Sequence, residues 1–265
     1  MNTVTSSSES RSNLLRVGAL VAIACLVGTV VWLGVRGGPA DNTGGSDKPA
    51  AGDASSATQS GDFEGAVEQV APETTPTDGV VIPTGADQVN GYPAHFPNTG
   101  LGAVALQIGV AEAQVGFDYE QAVTVAGLYA DPDDRSVFEA RARDAVALRR
   151  QQAGVPKEGG VPPPASYAVT PIAYTLEELG TGYYAVNLLS YVTLTTADGE
   201  VKDGLYAGTQ LMKWLEVDGV WDWRLVQGST DDIQHLLEEG QPRAVTPDTR
   251  AFKRAGWVRI NGAPQ

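Results

Sequence analysis

Residues 211–226 have the sequence LMKWLEVDGVWDWRLV, which predicts a β-hairpin. Asp218-Gly219 is the strongest turn signal in the chain, because both central residues of the favoured two-residue turn need positive φ. Such a turn also fixes the register of its two strands. The predicted cross-strand pairs are Val217–Val220, Glu216–Trp221 and Trp214–Trp223.

One side of this hairpin carries its three tryptophans. Because aromatic side chains bury the most area per residue, we expect this side to face the core. A ligand pocket lined by the rings is the alternative for the same side. The residues of this predicted core face or pocket are Met212, Trp214, Glu216, Trp221 and Trp223.

Alternating apolar residues predict three strands before the Asp218-Gly219 turn, over residues 167–174, 183–196 and 205–217, and the last of these is the first strand of the hairpin. Pro171 marks the strand 167–174 as an edge strand. Residues 257–260 are either a last short strand or an arm packed on the domain.

Helical spacing of apolar residues predicts three helices before the strands and two short ones after the hairpin. Their N-terminal signals are Thr99, Asp118, Asp131-Pro132, either Ser229 or Thr230, and Thr246-Pro247. Strands that are separate from helices indicate an α+β fold. We therefore predict, for residues 83–265, three helices packed on a curved four-stranded antiparallel sheet.

The stretch Val17–Val35 is apolar and carries no charged residue. A helix of this length is roughly 28 Å long, close to the ~30 Å hydrocarbon core of a bilayer. We predict a single-pass anchor in the cell membrane, with residues 1–16 in the cytoplasm, Trp32 near the outer interface and the C-terminal domain outside. A cleaved signal peptide and a lipoprotein signal at Cys25 are the alternatives.

Residues 36–82 are rich in Gly, Ala, Pro, Ser, Thr and Asp, which predicts a disordered acidic linker. The net charge is −14, and only Glu9 of the 32 acidic residues precedes the anchor. Nucleic-acid binding needs a basic footprint, so we do not expect it. Cys25 is the only cysteine, which excludes an intramolecular disulfide.

The sequence contains no recognisable catalytic motif, and we predict no catalytic residue, cofactor or metal. The order of helices and strands resembles that of a cone-shaped superfamily in which enzymes use a carboxylate or histidine as general base and a tyrosine or an acid to polarise the substrate. This resemblance implies Glu216, beside Trp221, as the candidate base of an enzymatic alternative. The tyrosine candidates are Tyr183, Tyr184 and Tyr191. A metal alternative combines the two histidines, His95 and His235, with Asp231 or Asp232.

The order of helices and strands is similar to that of the cone-shaped superfamily named after nuclear transport factor two. With Gly91-Tyr92-Pro93 followed by Gly102-Ala103-Val104-Ala105, the chain also resembles a family of uncharacterised actinobacterial membrane proteins. Its layout of inside tail, anchor and exported domain resembles the assembly factors of type IV secretion, including the TcpC-type conjugation proteins.

These resemblances imply a non-catalytic, membrane-anchored scaffold or assembly component of a conjugation or type IV-like secretion system. Its expected partners are the membrane and other envelope proteins, with self-association as a further expectation. An extracytoplasmic ligand-binding or sensory domain is the alternative function.

Overall fold

The structure, a computed structural model, describes residues 79–240 and 242–264. The predicted tail 1–16, transmembrane helix 17–35 (Val17 to Val35, with Trp32) and linker up to residue 78 lie outside the described residues. In the two described ranges, no helix combines the length and the apolar character that crossing a bilayer requires.

A small hairpin precedes the helices. Its strands are β1 (Asp87–Val89) and β2 (Tyr92–Ala94), joined by Asn90-Gly91. Both turn residues have positive φ, 55° and 82°, as a tight two-residue turn requires. The sequence showed only turn signals here, because strands of three residues are too short to display alternation.

Three helices follow, and they are α1 (Gly100–Ala113), α2 (Tyr119–Tyr129) and α3 (Arg135–Gln152). Two predicted N-caps are confirmed, because the Thr99 side chain accepts a hydrogen bond from the N–H of Gly102 and Asp118 accepts one from Gln121. The caps satisfy N–H groups that have no partner within the helix.

Five antiparallel strands form the main sheet. They are β3 (Ser166–Gly180), β4 (Tyr183–Thr195), β5 (Val201–Val217), β6 (Val220–Val226) and β7 (Val258–Arg259), in the spatial order β6-β5-β4-β3-β7. The predicted register of β5 and β6 is confirmed, since Trp214 pairs with Trp223 and Glu216 with Trp221.

The predicted fold class is wrong. The described chain is a mixed α/β domain with a five-stranded antiparallel sheet, a separate two-stranded sheet and five helices, and not three helices on a four-stranded sheet. The fifth strand is β7, whose two residues pair with Ala173 and Tyr174. It lies within residues 257–260, for which the sequence left a short strand and a packed arm as alternatives. β3 therefore has a neighbour on both sides at this point, and a bulge between Pro171 and Ala173 accommodates the proline.

The helix α1 lies between the sheet and the other helices. It contacts β3 and β4 on one side and α2 and β2 on the other. Val104 and Leu106 are both 0% exposed, although they point to different sides of the helix. A helix that is apolar on all sides belongs inside a core, and the small residues of α1 allow its neighbours to approach closely.

Two short helices lie against the outer face of the sheet. These are α4 (Thr230–Glu239) and α5 (Arg250–Arg254). Leu236 of α4 packs on Leu211 and Val226, and Phe252 of α5 packs on Leu189. The inner face of the sheet packs on α1.

Candidate functional site

A pocket of about 80 Å³ lies between the helices and the inner face of the sheet. α1 and α3 form one wall of the pocket, and β3, β4 and β5 form the other. Its apolar lining includes Val110, Val169, Leu188 and Val192. Its polar lining includes Gln107, Arg149, Tyr167, Ser190, Tyr206 and Gln210. Pockets with mostly apolar walls and a few convergent polar groups are typical small-molecule sites.

Gln107 contributes a buried amide to this pocket. The residue is 5% exposed, and its Oε1 has no hydrogen-bond partner among the described residues. Most buried polar atoms in folded proteins are hydrogen-bonded, and this oxygen is an exception that has almost no surface accessible to water. Sequence analysis missed Gln107, because α1 is apolar on all sides and gives no hint of which side meets a pocket.

Arg149 brings a buried positive charge to the same pocket. Its Nη1 donates to the carbonyl oxygens of Gln114 at 2.6 Å and Gly116 at 2.8 Å, and its Nε donates to Ala145 at 3.3 Å. The guanidinium carbon lies 4.8 Å from the ring centre of Tyr167. Burial lowers the pKa of Arg149, because the charged form loses hydration.

Two tyrosines keep their protons near this charge. Burial raises the pKa of Tyr206 to about 12, and Tyr167 adds to this rise. Burial also raises the pKa of Tyr167 itself. Both phenol groups are therefore neutral at pH near 7, and their hydroxyl groups can act as hydrogen-bond donors.

The five residues of the predicted core face of the hairpin differ in burial, and only some of them lie in the core. Met212 is 0% exposed and Trp223 is 1% exposed, and the Trp223 Nε1 donates to the carbonyl of Pro97 at 2.8 Å. Trp214 is half-buried, with its ring centre 5.4 Å from that of Trp223. These three residues do not line the pocket described above.

The outer end of this face is exposed. Trp221 is 53% exposed, and its ring stacks on Trp214 at a centroid distance of 6.4 Å. Glu216, which pairs with Trp221 across the strands, is also exposed. No described element covers the hairpin tip, so burial of the aromatic side ends at the pair Trp214–Trp223 and does not reach Glu216–Trp221.

The groups of the enzymatic alternative do not converge on this pocket. Tyr183 donates its hydroxyl proton to Asp232 at 2.9 Å, and Tyr184 packs on Trp223 at 5.6 Å between ring centres. Tyr191 packs with the cluster on the outer face of the sheet. Since Glu216 is exposed at the hairpin tip, the structure brings none of these tyrosines together with it in the pocket.

A second group of chemically active side chains lies on the outer face. His235 Nε2 is 2.7 Å from Glu177 Oε1 and 3.8 Å from Glu239 Oε1. One nitrogen and two carboxylate oxygens within 4.8 Å of one another could hold a divalent transition metal. His95 lies instead 3.8 Å from Asp87, so the two histidines of the predicted metal alternative are not partners in this group.

Sequence analysis also missed Asp222, a residue of β6 next to Trp223. Asp222 is 5% exposed, and its carboxylate accepts hydrogen bonds from the N–H groups of His95, Phe96 and Trp223. It therefore fixes the turn before α1 to the edge of the sheet. The alternation of the strand could not indicate this contact, because the partner is more than 120 residues away in sequence.

Comparison with known proteins finds no matching family model, no matching curated protein and no matching solved structure.

Proposed function

We propose that the chain is a non-catalytic, membrane-anchored scaffold or assembly component of a conjugation or type IV-like secretion system. The sequence layout supports this proposal, with a predicted inside tail, one predicted anchor and an acidic domain on the other side. The resemblance of the Gly91-Tyr92-Pro93 and Gly102-Ala103-Val104-Ala105 segments to actinobacterial membrane proteins supports it as well.

The exposed hairpin tip is the observation that carries the proposal. Trp221 is 53% exposed and Val220 is 42% exposed, and the stacked ring of Trp214 supports Trp221 from one side. A tryptophan held in place by a neighbour loses little conformational entropy when it binds. Such residues dominate the binding energy of protein interfaces, which suits a contact with another envelope protein or a second copy of this chain.

A photocrosslinking experiment on the full-length chain in its own membranes tests the scaffold function. We expect a photoreactive phenylalanine at position 221 to give a discrete protein adduct, to itself or to another envelope component. The matched control is the same probe at Val201, which is 61% exposed at the opposite end of β5. If position 221 gives no more adduct than position 201 in cells that carry the complete secretion system, the proposal is wrong.

Ligand binding by an extracytoplasmic sensory domain is the second candidate, and the pocket with Gln107 and Arg149 favours it. This function predicts that a small molecule raises the unfolding temperature of the full-length chain, and that a substitution filling the pocket, such as Ala111→Leu, removes this effect. If no small molecule is detected in the pocket by ligand-observed NMR, the second candidate fails and the first stands.

A further inference from the structure

We propose that the pocket between α1, α3 and the sheet binds a small organic carboxylate. The inference does not depend on the scaffold function. It rests on the second candidate function and gives that function a ligand class.

The charge of the pocket selects an anion. Arg149 is 3% exposed, and it lines the pocket together with no acidic residue from the described part of the chain. Buried charges in proteins are usually paired, but within the described residues Arg149 forms no ion pair. A carboxylate in the pocket would supply the missing negative charge, and arginine–carboxylate hydrogen bonds are among the strongest in proteins.

Arg149 also has a nitrogen left for such a ligand. Its Nε and Nη1 are occupied by three backbone carbonyl oxygens, which fix the guanidinium in place. Its Nη2 receives no acceptor from the residues that the structure describes. A held guanidinium with one remaining donor is already organised for an anion, so little ordering is needed when the ligand binds.

The size of the pocket limits the length of the ligand. A water-sized sphere occupies about 10–15 Å³ of such a volume, so a pocket of about 80 Å³ accommodates roughly six non-hydrogen atoms. Lactate has this size, with a carboxylate, one hydroxyl and one methyl group. Val110, Leu188 and Val192 supply apolar walls for the methyl group or a slightly longer chain.

The experiment compares three matched probes on the full-length chain by ligand-observed NMR and thermal unfolding. Lactate and propionate carry the carboxylate, and lactamide lacks the charge. We expect lactate and propionate each to bind about tenfold more tightly than lactamide, because lactamide leaves the buried charge of Arg149 without a negative partner. If lactamide binds as tightly as lactate, the pocket binds ligands but the carboxylate class is wrong.

A variant of the pocket wall tests the location without changing Arg149. Ala111→Leu places a larger side chain in the pocket, so we expect it to weaken the binding of lactate. Gln151→Leu, at an exposed position of α3, is the matched control and should leave the binding unchanged.

Two results would overturn the inference. In the first, none of the probes binds, which excludes short carboxylates but not the ligand-binding function. In the second, the Ala111→Leu variant binds lactate as well as the unchanged chain does.

Discussion

The carboxylate of Asp222 accepts a hydrogen bond from the backbone N–H of His95 at 2.8 Å, although 127 residues separate the two in the chain. The second oxygen of the same carboxylate accepts from the N–H groups of Phe96 and Trp223. One side chain of β6 thus fixes the turn that leads into α1. The position of α1, and with it the wall of the pocket that carries Gln107, depends on this contact.

We predict that Asp222→Ala lowers the free energy of unfolding by about 2–4 kcal/mol, because it leaves buried N–H groups without an acceptor. Urea-induced unfolding of the full-length chain measures this change. Glu216→Ala is the control, because it changes the same kind of group at an exposed site on the neighbouring strand. Equal effects of the two substitutions would contradict the proposed role of Asp222.

Local signals in the sequence predicted local structure well. The register of β5 and β6 follows from Asp218-Gly219 alone, because a two-residue turn leaves the strands no other pairing. The cap at Ser229 is likewise present, with Asp232 completing a capping box. The third helix begins at Arg135 and not at Pro132, because the residues between them form a turn before the helix.

The sequence pattern did not predict contacts between residues that are far apart in the chain. β7 is two residues long and pairs with Ala173 and Tyr174, and a segment this short has no periodicity that could decide between a strand and a packed arm. The pocket combines residues from two helices and three strands, and its polar groups are scattered over the chain. The aromatic side of the hairpin indicated the core correctly at Trp223 but not at Trp221, because burial depends on which element covers the strand end.

Arg150 binds three backbone carbonyl oxygens with one guanidinium. Its Nε donates to Phe117 at 2.8 Å, its Nη1 to Pro156 at 2.7 Å and its Nη2 to Gly159 at 3.1 Å. We predict that Arg150→Lys lowers the free energy of unfolding by about 1.5–3 kcal/mol, because a single ammonium group cannot reach three acceptors in this fork geometry. Thermal and urea unfolding measure the effect.

The matched control for this prediction is Arg143→Lys, on the same helix. Arg143 is exposed and lies 3.8 Å from the exposed Glu120, so its replacement by lysine should change stability by less than about 0.5 kcal/mol. If both substitutions have the same small effect, the three carbonyl contacts of Arg150 do not stabilise the fold.

The contact between His235 and Glu177 is expected to make α4 sensitive to pH. The hydrogen bond that His235 donates to Glu177 raises the pKa of His235 above its ordinary value, and the charges of Glu177, Glu239 and Glu238 add to this rise. A raised pKa means that protonated His235 stabilises the folded state. This stabilisation is complete below the ordinary pKa of about 6.5 and is lost as the pH rises through the raised value.

We therefore predict that His235→Gln speeds amide hydrogen exchange of α4 relative to the unchanged chain at a pH of about 6, and changes it little at a pH of about 9. Comparing the two chains at each pH removes the intrinsic pH dependence of exchange. Gln234→Ala, on the neighbouring exposed position of α4, is the control. An effect of His235→Gln that is equal at both pH values would rule out the charged contact as its cause.

Gly102 and Gly109 lie on the same buried helix but differ in what surrounds them. A Cβ atom at Gly102 would collide with the backbone carbonyl oxygen of Pro97, whereas one at Gly109 would meet Pro93 and Phe96 side chains at 3.5 and 3.7 Å, which are ordinary contact distances. The N–H of Gly102 also caps α1 through Thr99, so the turn before the helix cannot easily move away.

We predict that Gly102→Ala lowers the free energy of unfolding by about 3 kcal/mol or more, because backbone atoms have to shift in a close-packed core. Gly109→Ala should instead be neutral or raise it by up to about 1 kcal/mol, because alanine favours the helix over glycine. Urea unfolding of both variants, each with one added methyl group on α1, measures the difference. If the two variants are equally stable, the close approach of Pro97 to α1 is not what requires glycine at position 102, and the Gly-Ala-Val-Ala segment has another basis.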